Sequence, residues 1–173
     1  LEVYKRLKIG VFSSGDELKQ PGEKLLSGQI YDSNRPMILS LVKKLGFETL
    51  DMGRLPDNYS QTVNLLSKAS TEVNVILTCG GVSVGEEDHI KAAVEHLGSV
   101  MMWKINIKPG KPFAFGSIGK SVFLGMPGNP VSAWVTFALI CRPYLIKRAG
   151  GKNFHNVPLV LESTFELNKL DVR

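Results

Sequence analysis

Apolar and polar positions fall in blocks along this chain, and the period changes from block to block. Lys8 to Ser13 is a short apolar run and predicts a buried strand. Ser14 to Ile30, broken by Gly15, Pro21, Gly22 and Gly28, predicts a long loop. From Asn34 to Leu45 the apolar residues Met37, Ile38, Leu41, Val42 and Leu45 recur at the spacing of one helix face, and Gly46 supplies the stop. Phe47 to Met52 predicts a second strand. Asp57 to Ser70 predicts a second helix with its cap, buried through Val63, Leu65 and Leu66. Val73 to Thr78 predicts a third strand. His89 to Leu97 predicts a third helix, apolar at Ile90, Ala93, Val94 and Leu97 and closed by Gly98. Repeated βα units of this length imply an α/β fold, a three-layer α/β/α domain with a mostly parallel sheet. In such sheets ligands bind beyond the carboxyl ends of the strands.

The pattern then changes. Val100 to Lys108 alternates, which predicts a strand with Met101, Trp103, Ile105 and Ile107 on one face and Lys104, Asn106 and Lys108 on the other. Lysines two pleats apart point the same way, so their heads can meet one multiply charged anion. The plainer alternative is a solvent-facing strand. Pro109-Gly110-Lys111-Pro112 is a stiff turn from which Lys111 projects. Phe113 to Gly116 and Val122 to Leu124 predict a hairpin around Ser117 to Lys120. Gly125 to Pro130 then leads into an apolar helix, Val131 to Leu145, with Pro130 favourable at its first position.

The stretch richest in chemistry runs from Thr78 to Asp88, between the third strand and the third helix. Its glycines, Gly80, Gly81 and Gly85, let main chain approach a ligand and adopt positive φ. A helix that follows such a turn offers unpaired N–H groups to an anion. Glu86, Glu87 and Asp88 sit where those groups emerge, so one loop can hold a cation beside a phosphate. The spacing matches neither G-x-G-x-x-G nor the P-loop. The alternative is an ordinary βα turn with Asp88 as helix cap.

Composition narrows the setting. The chain has 173 residues, 43% hydrophobic and 21% charged, which suits a globular domain of about 150 residues plus a remainder. A net charge of +5 is scattered rather than banked with aromatics, which argues against nucleic acid; it fits a small anionic substrate, while the commonest reading is simply solvated surface. Two cysteines, Cys79 and Cys141, suggest no disulfide framework and fit a reducing cytoplasm. No apolar run of about 18 residues exists to span a membrane, and no signal peptide is visible. The chain opens at Leu1, which suggests a piece of something longer.

Five motifs, in order and at matching spacing, carry a resemblance: Ser14-Gly15-Asp16-Glu17-Leu18, Gly28-Gln29-Ile30-Tyr31-Asp32-Ser33-Asn34, Gly80-Gly81-Val82-Ser83-Val84-Gly85, Lys108-Pro109-Gly110-Lys111-Pro112 and Pro127-Gly128-Asn129-Pro130-Val131-Ser132. Over roughly residues 7 to 150 the chain resembles the molybdopterin-binding domain of the molybdopterin molybdenumtransferases, the MoeA and gephyrin E-domain family. The resemblance implies insertion of molybdate into adenylylated molybdopterin with release of AMP, in molybdenum cofactor biosynthesis, with Mg²⁺ as the ion. It implies catalytic roles for Asp57, Asp88, Lys104 and Lys108, with Asp57 and Asp88 on the metal. It implies that Gly80, Gly81, Ser83 and the turn Pro127, Gly128, Asn129 and Pro130 shape the pterin-phosphate pocket. Asp32 and Asn34 lie on a loop that resembles a substrate-contacting one. Asp57 and Asn34 have a structural alternative, as caps of the second and first helices.

The resemblance further implies a homodimer, a molybdopterin adenylyltransferase as a possible partner, and no nucleic-acid or membrane partner. Residues 1–148 correspond to the molybdopterin-binding domain, and residues 149–173 to a linker and first strand, Val157 to Leu167, of a truncated β domain. Ser14, Cys79 and Met126 stand where the family usually has threonine, serine and leucine. Other family domains that complete the site would lie outside this chain. Two alternatives stay open: a single-domain molybdopterin adenylyltransferase of the same fold, and a gephyrin-like scaffold.

Overall fold

The structure, a computed structural model, describes residues 2–82 and 89–151. In chain order the elements are β1 (Lys8–Ser14), β2 (Leu18–Lys19), β3 (Ile30–Tyr31), α1 (Asn34–Lys44), β4 (Glu48–Leu55), α2 (Tyr59–Glu72), β5 (Val75–Cys79) and α3 (His89–Leu97). There follow β6 (Gly98–Met102), β7 (Ala114–Ile118), β8 (Ser121–Met126), α4 (Pro130–Thr136), a π-helical turn (Phe137–Cys141) and α5 (Arg142–Arg148). Six strands form one sheet in the order β4-β1-β5-β8-β7-β6. The first four run parallel, and β7 and β6 join antiparallel.

Strand alternation sorts the core into two slabs. Ile9, Val11, Val75, Leu77 and Cys79 face α1 and the last helix, meeting Ile38, Val42, Phe137 and Leu145. Phe12, Ile76 and Phe123 face the other way, against Leu66 and Ala69 of α2 and Ile90 and Val94 of α3. β5 is buried along its whole length at the middle of this sandwich, as its unbroken apolar run requires. The three-layer α/β/α domain expected from the sequence is the observed one.

Four local expectations are corrected. The second helix begins at Tyr59 rather than Asp57, because Asn58 is its cap: Asn58 stays extended and its side chain accepts the Gln61 N–H at 3.0 Å. The strand expected over Val100 to Lys108 ends at Met102. A bulge at Met101 leaves that residue without a partner on β7 and 66% exposed. Beyond it Trp103 packs against one slab and Ile105 against the other, so the apolar residues do not share a face. The Ser14 to Ile30 loop contains a parallel ribbon, with Leu18 opposite Ile30 and Lys19 opposite Tyr31. The last helix widens into a π turn, where Arg142 N–H reaches back to Phe137 O. Pro143 follows at once; it has no N–H to donate and its ring crowds the preceding turn. The strand expected over Val157 to Leu167 lies outside the described residues.

Cys79 and Cys141 are free and buried. Burial pushes both thiols up; the Asp32 carboxylate adds to this at Cys79 and Arg35 offsets part of it, while Cys79 adds to it at Cys141. The folded chain therefore holds both protons where unfolded thiols, near 9.0, lose theirs. By linkage, stability should fall as pH rises above that value. Urea melts at about pH 8 and about pH 10 test this, and the drop should shrink in Cys141→Ala.

Candidate functional site

The four parallel strands end together at Ser14, Leu55, Cys79 and Met126, and their following loops share one edge. The closest approach is made by glycine main chain. Gly80, at φ +91°, extends the β5–β8 ladder by donating its N–H to Met126 O at 2.9 Å. A Cβ on Gly80 would stand 2.9 Å from Ser14 O and 3.9 Å from Gly128 Cα. Gly81, at φ +67°, packs so tightly that a Cβ would overlap the Ile90 side chain and stand 2.9 Å from Ser14 Oγ. Both positions therefore require glycine on conformation, and Gly80 also on space, because its neighbour is backbone.

The turn after β8 is built on this floor. Asn129 caps α4, accepting the Ser132 N–H at 3.2 Å, and Pro130 opens the helix. Asn34 does not cap α1. It donates its Nδ2 to Gly128 O at 2.7 Å, tying the start of α1 to the turn, and its buried Oδ1 has no hydrogen-bond partner. Gly110, buried at φ +119°, seats the Lys108 to Lys111 turn on α4: a Cβ there would stand 2.7 Å from Thr136 Cγ2 and 3.8 Å from Ser132 O. Lys104 and Lys108 are exposed on the unpaired segment between β6 and β7. The structure thus gathers Gly80, Gly81, Gly128 and Asn34, and seats Gly110, two residues after Lys108, on α4. Ser83 and Asp88 lie outside the described residues.

Asp57 and Asp32 divide between exposed and buried roles. Asp57 is exposed after β4, and its Oδ2 accepts the Asp16 N–H at 3.4 Å across to the loop after β1. Since Asn58 is the α2 cap, Asn58→Ala should cost about 1 kcal/mol, while Asp57→Asn should leave the melting midpoint in place; paired denaturant melts check both. Asp32 is only 3% exposed. Its Oδ1 accepts the Arg35 N–H at 3.1 Å, holding the first turn of α1, and its Oδ2 stands 3.2 Å from Arg35 Nε. That ion pair is bent away from hydrogen-bond alignment, since neither atom has a hydrogen-bond partner.

Two arginines that the sequence did not single out organise this edge. Arg35, 2% exposed, is held between Asp32 and Asp51, donating Nη1 to Asp51 Oδ1 at 3.0 Å. Arg54 donates Nη1 to three carbonyl oxygens, Gly15 at 3.3 Å, Asp16 at 3.0 Å and Leu18 at 3.2 Å. Its partners lie 36 to 39 residues away, so no local pattern exposes it. Among the described residues no group of three or more His, Cys, Asp or Glu side chains is placed to hold a metal ion. Asp57 is an exposed hard oxygen donor, which fits a Mg²⁺ that keeps most of its waters and takes one or two carboxylates.

These residues make up an α/β domain whose parallel strands end in glycine turns, basic loops and an exposed carboxylate, the edge at which such sheets take their ligands. The chain matches the family model described as a probable molybdopterin binding domain over residues 10–147, and it belongs to that family. It is 48% identical over 158 residues to a molybdopterin molybdenumtransferase of Haemophilus influenzae, covering 91% of this chain and 39% of that protein. It is 37% identical over 149 residues to the molybdenum cofactor synthesis protein cinnamon of Drosophila melanogaster, covering 86% of this chain and 25% of that one. The chain therefore spans well under half the length of these relatives. Among solved structures, a molybdopterin biosynthesis MoeA protein of Pyrococcus horikoshii superposes with a TM-score of 0.77 at 33% identity, covering 86% of this chain and 37% of that one.

Proposed function

We propose that this chain is the pterin-phosphate-binding part of a molybdopterin molybdenumtransferase, which inserts molybdate into adenylylated molybdopterin and releases AMP. The observation that carries the reading is the glycine floor, where Gly80, close against Ser14 O and Gly128 Cα, lets the loops after β1, β5 and β8 meet at the sheet edge. The Gly80 N–H is spent on Met126 O, and the exposed main chain at Gly128 is the part of this floor that can come close to phosphate oxygens. Lys104 and Lys108 neutralise phosphate and molybdate charge as it shifts. Asp57, with Asp88, would hold Mg²⁺, which offsets the charge of the phosphates when bound. A homodimer, an adenylyltransferase that hands over the adenylylated pterin, and a cytoplasmic setting belong to the same reading, as does the assignment of residues 149–173 to the start of a second, β domain.

Wild-type chain should bind molybdopterin in a titration yet release negligible AMP with molybdate, because misplacing the reacting groups by about 1 Å costs roughly a hundredfold in rate and other domains complete the family's site. In a longer protein that includes those domains, Lys108→Ala should cut molybdate-dependent AMP release by about a hundredfold or more, the scale of one lost charge-stabilising group. Wild-type turnover in both Lys104→Ala and Lys108→Ala would remove the lysines from the reaction.

A further inference from the structure

The exit of β4 carries an arginine that the proposed function leaves unused. β4 runs parallel to β1, and its register slips between Val11 and Phe12: Val11 lies opposite Asp51, but Phe12 lies opposite Gly53. Met52 is the extra residue. Gly53 takes up the bulge at φ +80°, with its N–H donating to Asp51 Oδ1 at 2.9 Å. Without the slip Arg54 would stand opposite Ser14; with it, Arg54 stands opposite Ser13. A shift of one residue turns a side chain to the other face of a sheet. The bulge therefore aims Arg54 at the loop after β1.

That loop starts with a tight turn, closed by the Leu18 N–H on Gly15 O at 3.2 Å. Arg54 Nη1 gathers the carbonyls of the turn, Gly15 at 3.3 Å, Asp16 at 3.0 Å and Leu18 at 3.2 Å, and stands 3.6 Å from Asp16 Oδ1. Asp57, three residues beyond Arg54, meets the same turn through an N–H: its Oδ2 accepts from Asp16 N at 3.4 Å. The stretch that leaves β4 thus grips one turn twice, by its carbonyls and by its amide.

The backbone of Asp57 is settled, because Asn58 beside it caps α2. Its exposed carboxylate is not, since a side chain in water keeps its rotamer freedom unless a partner holds it. The Asp16 N–H holds it only as firmly as the turn itself is held. Arg54 serves that end in two ways. Hydrogen bonds from an ionised donor are the stronger kind. The guanidinium also offsets the Asp16 carboxylate, a second negative charge on the very residue that Asp57 contacts. Unpaired, that charge would repel the Asp57 carboxylate. The turn follows directly on Ser14, whose carbonyl backs Gly80, so the carboxylate is placed relative to the glycine floor.

We infer that Arg54 is a positioning residue for Asp57: it fixes the Gly15 to Leu18 turn, and the Asp16 N–H then orients the Asp57 carboxylate at the ligand edge. This rests on the reading above, in which Asp57 serves the bound ion, and adds the residue that sets it.

Arg54→Met keeps the apolar stem and removes every donor. In the 173-residue chain its urea midpoint should hardly move, because water can solvate the partly exposed turn. Amide exchange followed by NMR should nonetheless quicken severalfold at Asp16 and Leu18, and stay at the wild-type rate at Gly80, which is bonded to Met126 O. Arg54→Lys keeps a charged nitrogen with three donors and should restore most of that protection. In a longer, active protein, Arg54→Met should lower kcat for molybdate-dependent AMP release about tenfold at an unchanged KM, less than the roughly hundredfold that a misplacement of about 1 Å costs. Added to Asp57→Asn it should lower kcat no further, because the arginine acts through that carboxylate. Wild-type exchange at Asp16 in Arg54→Met would overturn the inference, as would losses that add in full in the double variant. Unchanged turnover in Asp57→Asn, with exchange at Asp16 quickened as expected, would instead remove Asp57 from the reaction and leave the hold of Arg54 on the turn standing.

Discussion

Replacing Arg35 with methionine should destabilise the chain by about 3–5 kcal/mol, the typical result of leaving a buried charge without its partner. Arg35 and Asp32 are 2% and 3% exposed, so water cannot take over for the lost guanidinium. The Asp51 arm of the network adds little, because Asp51 is about half exposed and its pairing is screened. The discriminating measurement is a urea midpoint for Arg35→Met, Asp32→Asn and the double variant. Removing both charges should recover a large part of the loss, since the penalty belongs to the orphaned carboxylate. An Arg35→Met midpoint within about 0.5 kcal/mol of wild type would mean that the buried Asp32–Arg35 pair does not stabilise the fold.

Gly80→Ala should be the most damaging single-atom-scale change at the ligand edge. At φ +91° any side chain meets a left-handed backbone penalty of roughly 1–2 kcal/mol. The new methyl would also stand 2.9 Å from Ser14 O, a backbone atom that cannot swing aside. Crowding of that kind adds about 1–3 kcal/mol. Either the strand ends spread or the glycine turn shifts, and both displace the turn that the proposed function sets against the substrate. In a longer, active protein, AMP release should drop by about a hundredfold. Gly128→Ala is the control: its Cβ would meet Gly80 Cα at 3.7 Å, an ordinary contact. That variant should melt within about 0.5 kcal/mol of wild type. Equal behaviour of the two variants would show that packing of the floor is not what limits binding.

These contrasts also mark what the sequence makes legible. Strands buried on both faces announce themselves as apolar runs, so β1 and β5 were readable from Lys8 to Ser13 and Val73 to Thr78. Helix faces were readable from their period, but the start of α2 was not, because Asp57 and Asn58 are both good caps and only geometry chooses. Alternation past Met102 misled for a different reason. Side chains at 104, 106 and 108 are exposed and those between them half-buried, as a strand would give, yet pairing with β7 stops at Met102 opposite Phe115. The site divides in the same way. The glycines and the Pro127 to Pro130 turn are visible because their chemistry is local. Arg35 and Arg54 work through partners brought by the fold, Asp51 on a neighbouring strand and the carbonyls of the loop after β1.

Arg54 has a consequence for how this domain tolerates change. Between Ser14 and Asp32 the chain leaves the sheet, makes its two-strand ribbon and returns, and near its departure one guanidinium gathers three carbonyls. The excursion behaves as a cassette anchored at its roots. Its tip, around Pro21 to Gly28, contributes none of the buried apolar residues of either slab. Residues grafted or deleted there meet only the small entropic cost of a longer or shorter loop. That tip is thereby free to be redesigned while the sheet and the glycine floor stay fixed.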